Sequence, residues 1–440
     1  MKRSWIAILI GLFLYDGRLT AQEQVTLEQV IALALQENYD IRLAQNVSLT
    51  ARVNDKYSVA ALFPQVTATG SKTWSHTRQT IRFDDETRNN KGINQSDNIQ
   101  GAVQLVWTLF DGTKMFATRE RLAEISNQGE LIVKNQMVTS ISEIINNYYG
   151  IVRQKQQLSA IQDQISVNEE RVKLAERKLE VGIGAKPELL QAKVDLNAQR
   201  TLSLQQETLI VQLKDQLNGL VGLKLPAPYD VSDSILINLG IKQEEIFESF
   251  EERNYGLQSA KLNLSIARLA LRESRADRLP VINFNALYNY TQTDNTKQIN
   301  EFSTIYNESF GFNNYGFSVT LPLFNGLNTH RNVQQAKITL NRQELLYDQQ
   351  KQQIDVGIKN AFVSYDNAKK ILLIEEENIL LAKENVFIAL ESFKRGVATF
   401  IELRTAQQSL AEAYNRLIAA RYNAKVAETE LLRLNGSLLR

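Results

Sequence analysis

The sequence predicts a mainly α-helical chain with membrane β-hairpins, laid out twice on one plan. Three observations predict it. First, two stretches, 179–192 and 393–406, interrupt long helical patterns at glycine, and the helix restarts within a few residues, as in a helical hairpin. Second, two pairs of segments abandon the helical period for strict alternation, the mark of strands. Third, the halves align at a nearly fixed spacing. Gly112 maps on Gly326, Gly182 on Gly396 and Glu188 on Glu402, each 214 residues apart. Constant spacing over such lengths indicates internal duplication.

Composition narrows the function classes. The 440 residues carry 50 basic and 49 acidic side chains, so no bulk charge points to nucleic acid. There is no cysteine, which excludes disulfides, thiolate metal sites and a lipid-bearing N-terminal cysteine. Only His76 and His330 are present, and no Gly-rich phosphate loop, metal-ligand spacing or nucleophile–base set occurs. No catalytic residues, metal or cofactor are therefore expected, and the protein is not read as an enzyme.

The elements follow in order. Lys2 and Arg3, then the apolar run Trp5–Tyr15 and the small-residue site at Ala21, read as a signal peptide over 1–21. As a membrane anchor the run is about half the length that a spanning helix needs. The first repeat is expected over 22–222. Thr26 and Gln29 open a helix as a capping box, a break is expected at Asn38-Tyr39, and Pro64 ends the helical pattern. A β-hairpin follows over about 65–109. Thr67, Thr69, Ser71 and Thr73 share one face of its first strand, against Val66, Ala68 and Trp74. Ile99, Gly101, Val103, Leu105, Trp107 and Leu109 share a face of the second, and His76–Asp97 reads as a polar loop. A helix on the order of 100 Å long then runs to about Leu179, with a coiled-coil seam at Ile161, Ile165, Asn168, Val172, Ala175 and Leu179. The tip at 182–187 leads into a returning helix that Asn218-Gly219 closes.

A connector is expected over 223–243, with a short strand near Ile235–Ile237. The second repeat, 244–440, restates the plan: a helix to about Arg278, a β-hairpin over about 281–323, a long helix, a tip at 396–401 and a last helix ending at Asn435-Gly436. In this hairpin Ile282, Phe284, Ala286, Tyr288 and Tyr290 oppose Asn283, Asn285, Asn289 and Thr291, and Thr293–Gly311 reads as the polar loop.

Each strand is about ten residues, the length that crosses a bilayer when tilted. One face is apolar, with aromatics Trp74, Trp107, Tyr288, Tyr290 and Tyr315 suited to a membrane girdle, and the other is small and polar. A soluble sheet with one buried face shows the same alternation, so an exported coiled-coil scaffold or adhesin stays open on the strands alone. In lipid, four strands cannot close by themselves and an open edge leaves backbone groups unpaired. The membrane reading therefore requires several chains to share one barrel, with all helices on one side of the membrane.

Taken together, the duplicated order, the strand-to-helix exits Phe110-Asp111-Gly112 and Phe324-Asn325-Gly326, and the motif around Phe393, Gly396, Thr399, Ile401-Glu402-Leu403 and Ala406-Gln407 resemble the TolC family of outer-membrane efflux proteins. The likeness covers essentially the whole chain after the signal. It implies a homotrimer with a twelve-stranded barrel and a twelve-helix tunnel. It also implies docking to a periplasmic adaptor (membrane fusion) protein and an inner-membrane pump, so that the protein serves as the exit duct of tripartite efflux or type I secretion. Family members usually carry two acidic residues just after the second break. Glu402 matches the first of those positions, but Thr405 stands at the second, so the implied pore constriction is a weaker cation filter.

Gly182, Gly184, Ala185, Gly396, Ala398 and Thr399 are expected to form the adaptor-docking tip, since small residues let another helical hairpin approach closely. The competing reading is that the glycines only cap helices. Glu402 likewise reads either as a pore-lining carboxylate or as a helix N-terminal acid favoured by the macrodipole.

Overall fold

Thr26 starts the first helix as a capping box: its hydroxyl accepts from the Gln29 amide, and the Gln29 side chain accepts from the Thr26 amide. In the computed structural model, residues 23–226, 228–232, 234–247, 250–297, 299 and 304–439 are described. The expected signal peptide, 1–21, lies outside the described residues. Strand β1 (Glu23–Val25) leads to helices α1 (Leu27–Glu37) and α2 (Tyr39–Tyr57) and a 3-10 turn at Ser58–Leu62. Strands β2 (Gln65–Ile81) and β3 (Asn90–Asp111) follow, then α3 (Lys114–Glu180), α4 (Lys186–Leu220) and β4 (Tyr229–Val231). The second half holds α5 (Gln243–Phe247), α6 (Phe250–Arg253), α7 (Tyr255–Ala276), β5 (Val281–Lys297), β6 (Tyr306–Thr320), α8 (Asn328–Lys394) and α9 (Phe400–Asn435). Both α3 and α8 have 67 residues. No described helix is long and apolar enough to cross a membrane.

The chain divides into two compact units. One comprises residues up to Asn46, 131–258 and 349 onward; the other comprises 47–130 and 259–348. The helical unit has its largest core where Val30, Ala34, Ile144, Tyr148, Ile151 and Leu217 are buried together with Val25 and Val231. There β1 pairs in parallel with β4. Two lysines, Lys155 and Lys214, reach Asp230 on β4 at 2.7 and 3.0 Å. Burial pushes the Asp230 carboxyl up, but those two hydrogen-bonded ammonium groups outweigh it and hold the group below its ordinary value.

One device appears in both repeats. The Asn38 side chain accepts from the Ile41 amide at 3.0 Å and donates to the Leu220 carbonyl at 2.7 Å. Asn254 does the same with the Leu257 amide and the Leu434 carbonyl, both at 2.9 Å. Each Asn thus caps a helix start and clips it to the end of the last helix of its repeat. Asn38→Ala and Asn254→Ala leave a carbonyl and an amide without partners, and each is expected to destabilise by about 1–3 kcal/mol. A lowered thermal midpoint of the detergent-solubilised protein checks this, and unchanged midpoints contradict it.

The connector corrects one expectation. The strand lies at Tyr229–Val231, and Ile235–Ile237 is not a strand. Here extended backbone is satisfied by side chains instead: Tyr365 and Lys369 donate to the Asn238 and Leu239 carbonyls, both at 2.6 Å, and Glu428 accepts from the Asn238 amide. The close of α4 also moves, from Asn218-Gly219 to Leu220, with Gly222 at φ 69°.

In the second unit the sheet order is β2-β3-β5-β6, antiparallel throughout. Its strands have 17, 22, 17 and 15 residues rather than about ten. The stretches expected as polar loops, His76–Asp97 and Thr293–Gly311, are largely paired strand; Arg78 faces Ile93, and Tyr290 faces Phe310. Cross-strand hydrogen bonds hold these extensions, and their largely polar and charged sequence shows no alternation. A register shift between Thr108 and Phe110 passes over Leu109 and puts Phe110 opposite Ile282.

The register sorts the sheet into two faces. One row holds Val66, Leu105, Ala286 and Tyr315; the row two positions along holds Ala68, Val103, Tyr288 and Phe312. The alternate rows hold Thr69, Ala102, Asn289 and Gly311, then Ser71, Gln100, Thr291 and Ser309. Trp74, Trp107, Tyr288, Tyr290 and Tyr315 all fall on the apolar face. The apolar rows run from Ile282 to Tyr290 on β5, close to the span a tilted membrane strand covers. Phe310 and Phe312 belong to this face too, although Phe310 lies within the stretch whose composition reads as a polar loop.

Candidate functional site

The helical breaks are built alike. At the first, the Gly182 amide donates to the Leu179 carbonyl at 3.1 Å and the Ile183 amide to the Lys178 carbonyl at 3.0 Å. At the second, Gly396 donates to Phe393 at 3.1 Å and Val397 to Ser392 at 2.9 Å. Both are Schellman closures, and each glycine sits in the left-handed region, at φ 79° and 76°. A side chain there would meet no atom within 4 Å, so backbone conformation and not space selects glycine. Gly184 differs: a Cβ would stand 2.7 Å from the Leu179 nitrogen, so the chain could not fold back over the helix end. Ala185 precedes α4 as a cap without a side-chain bond, with Pro187 in the first turn.

Thr399 opens α9 with a second capping box. Its hydroxyl accepts from the Glu402 amide at 3.2 Å, and the Glu402 carboxylate accepts from the Thr399 amide at 2.6 Å. The bond from the Thr399 amide first, and then one that the Thr399 hydroxyl donates to the same carboxylate at 3.0 Å, hold the exposed Glu402 carboxyl below its ordinary value of 4.5. Its capping contribution is therefore complete above the ordinary value and is lost as pH falls through the lowered one. The Thr405 hydroxyl turns back onto the Ile401 carbonyl at 3.0 Å. Most of the small and polar tip residues thus have local jobs, and the Ala398 amide too donates to the Ser392 carbonyl at 3.2 Å.

What the sequence reading missed lies beside them. Val181, Ile183, Val397 and Ile401 are exposed, Ile183 at 78 % and Val397 at 80 %. Four apolar side chains thus stand in water around the two glycine turns. Their signal was present as apolar residues flanking each glycine.

A buried polar link stands above the tip. Arg171 on α3 is 5 % exposed. It pairs with Asp195 on α4 at 2.5 Å and donates to Gln407 on α9 at 3.1 Å. Its guanidinium lies 5.0 Å from the centre of the Phe400 ring. Arg404 on α9 reaches the same Asp195 at 3.4 Å, and Gln191 donates to it at 2.8 Å. One carboxylate therefore ties the first helical hairpin to the second. Below this link the seams close on apolar contacts: Val172 with Ala192 and Leu196 in the first hairpin, and Phe393 and Leu403 buried in the second. The Lys178 ammonium sits 3.9 Å from the Phe393 ring centre and joins the two breaks directly.

Duplicated helical hairpins, a four-stranded sheet with one apolar and one polar face, and paired glycine tips define an outer-membrane channel protein. The profile of the family described as "Outer membrane efflux protein" matches residues 30–223 and 247–437, and the chain belongs to that family. The family consists of channel proteins rather than enzymes, and its place is the outer membrane of Gram-negative bacteria. The chain is 22 % identical over 431 residues to alkaline protease secretion protein AprF of Pseudomonas aeruginosa, covering 92 % of this chain and 84 % of that protein. It is 22 % identical over 456 residues to outer membrane protein TolC of Salmonella enteritidis, covering 98 % and 88 %. The solved CmeC outer membrane channel of Campylobacter jejuni has the same fold, with a TM-score of 0.77 at 18 % identity over 93 % of this chain and 85 % of that one.

Proposed function

We propose that three copies of this chain assemble into an exit duct across the outer membrane, docking at its glycine tips to a periplasmic adaptor and an inner-membrane pump. The observation that carries the reading is the sheet order β2-β3-β5-β6, in which, among the described residues, β2 and β6 are unpaired on their outer sides. In lipid those free edges must find partners. Three chains supply twelve strands, within the range of single-chamber outer-membrane barrels.

The helices support the same assembly. On α4 the exposed residues Leu190, Val194, Leu204 and Val211 fit one stripe at alternating spacings of four and three. Ile374, Leu381 and Ile388 recur every seven residues on α8, and all are exposed. Seams of this kind suit neighbouring copies. Export would be passive, with opening set by movement of the hairpins that Asp195 ties together. Cargo choice is assigned to the pump.

A ring of Glu402, one from each copy, would line the mouth as a single acidic band. Glu402→Gln keeps the capping geometry, because a Gln side chain still accepts from Thr399, but removes the charge. In planar bilayers it is expected to reduce the preference for cations with little change in thermal midpoint. An unaltered preference removes Glu402 from the pore. The assembly itself is tested by detergent extraction and chemical crosslinking: trimers released only by detergent support it.

A further inference from the structure

Charge is segregated by face along the entire length of the four strands. On the face that carries the apolar rows, charged side chains appear only beyond Gly70 and Tyr290. Lys72 is in register with Ile99, Asp97 with Trp74 and Asp294, and Glu308 with Gln292, while Arg78 and Lys91 follow further out. The opposite face has none of these. Its rows are hydroxyls and amides, such as Thr73, Asn98, Thr293 and Asn307, broken only by glycine, alanine and a few aliphatic residues. Among the described strand residues its one charged side chain is Asp111, the last residue of β3, whose carboxylate is held by the Met115 amide at the start of α3 at 2.9 Å; Lys297, the last residue of β5, leaves this face through the register shift between Gln95 and Ser96, which sets it opposite Gln95 on the charged face.

Water alone does not explain this. Wet strand surface beyond the membrane tolerates charge on either face, and here it accepts charge on only one. The polar side chains also bond within the wall: Asn98 donates to Thr293 at 3.3 Å and Asn285 to Ser318 at 2.9 Å. A charged ring repeated in each copy of a narrow, low-dielectric passage would focus a field and concentrate counter-ions. An uncharged wall avoids that.

We propose that the outer-membrane passage is a charge-neutral conduit, lined by hydroxyls and amides, that passes anionic and cationic cargo equally and neither sorts nor retains it by charge. The inference rests on the shared-barrel reading. Any preference between ions then arises in the helical part of the duct.

The absence of cysteine makes the test direct. Asn289→Cys, Tyr290→Cys and Thr291→Cys are placed singly in the full chain, and each is treated in bilayers with a cationic or an anionic methanethiosulfonate. Modification at 289 and 291 with protection at 290 is the pattern of a barrel with this face inward. Equal reactivity at 290, or no reaction at 289 and 291, overturns the face assignment and the neutral wall with it. Given the alternating pattern, the ratio of cationic to anionic rates at 289 and 291 is expected to match that of a small free thiol. A ratio shifted by roughly tenfold or more, the effect of a field focused in a charged cleft, overturns neutrality and leaves the barrel reading intact.

Discussion

Ile183→Asp combined with Val397→Asp is expected to abolish export while leaving the assembled protein in the outer membrane. Both side chains are almost fully exposed beside the glycine turns, so the carboxylates enter water and strain nothing in the fold. The Schellman closures use backbone groups only and remain. What is lost is apolar surface for a docked partner, and a charge is placed where it would be desolvated, typically at several kcal/mol. Export of any cargo should fall to the level of a deletion strain, with crosslinked trimers at normal yield. Gly182→Val and Gly396→Val test the same surface less cleanly, since a β-branched residue at positive φ strains the turn itself. Normal export by the double aspartate variant would remove the tips from docking and leave the glycines as helix caps alone.

Asp195→Ala is expected to have the largest effect on the closed state. It strands the buried Arg171 guanidinium, for which loss of the partner in a buried pair amounts to about 3–5 kcal/mol. It also frees Arg404 and Gln191, which converge on the same carboxylate. The two helical hairpins then lose their shared anchor above the tip. The thermal midpoint should drop, and single-channel conductance in planar bilayers should rise. Arg404→Ala is the control: its contact with Asp195 is long and half-exposed, so it should open the channel less with little loss of stability. Equal conductance in the wild type and Asp195→Ala would mean that the link holds the fold and not the gate.

The duplication was legible because its punctuation is chemical. Gly112, Gly182 and Gly222 have positive φ, and so do Gly326, Gly396 and Gly436 at the same spacing in the second repeat. Thr113 and Leu327 share that conformation as well, which the sequence did not announce. Alternation exposed the apolar part of β2, β3, β5 and β6. It failed at His76–Asp97 and Thr293–Gly311, where apolar residues such as Ile93 and Phe310 are too sparse to show a period and cross-strand hydrogen bonding makes the strand. Strand β4 failed for a related reason, since three residues hold no period. At the candidate site the turns were legible and the Arg171–Asp195–Arg404 link was not. Its members are far apart in sequence, and each reads alone as a solvated helix charge. Arg171 stands three residues after the seam residue Asn168, so the two share a helix face, and that spacing is the one sequence mark of its inward position.

The shared barrel is tested most directly by the mass of the detergent-extracted protein, measured on particles that also conduct ions in a planar bilayer. A particle of three chains, released from membranes only by detergent and forming channels, is the predicted result. A monomer that is soluble without detergent, or a membrane-extracted species that is not a trimer, would contradict it.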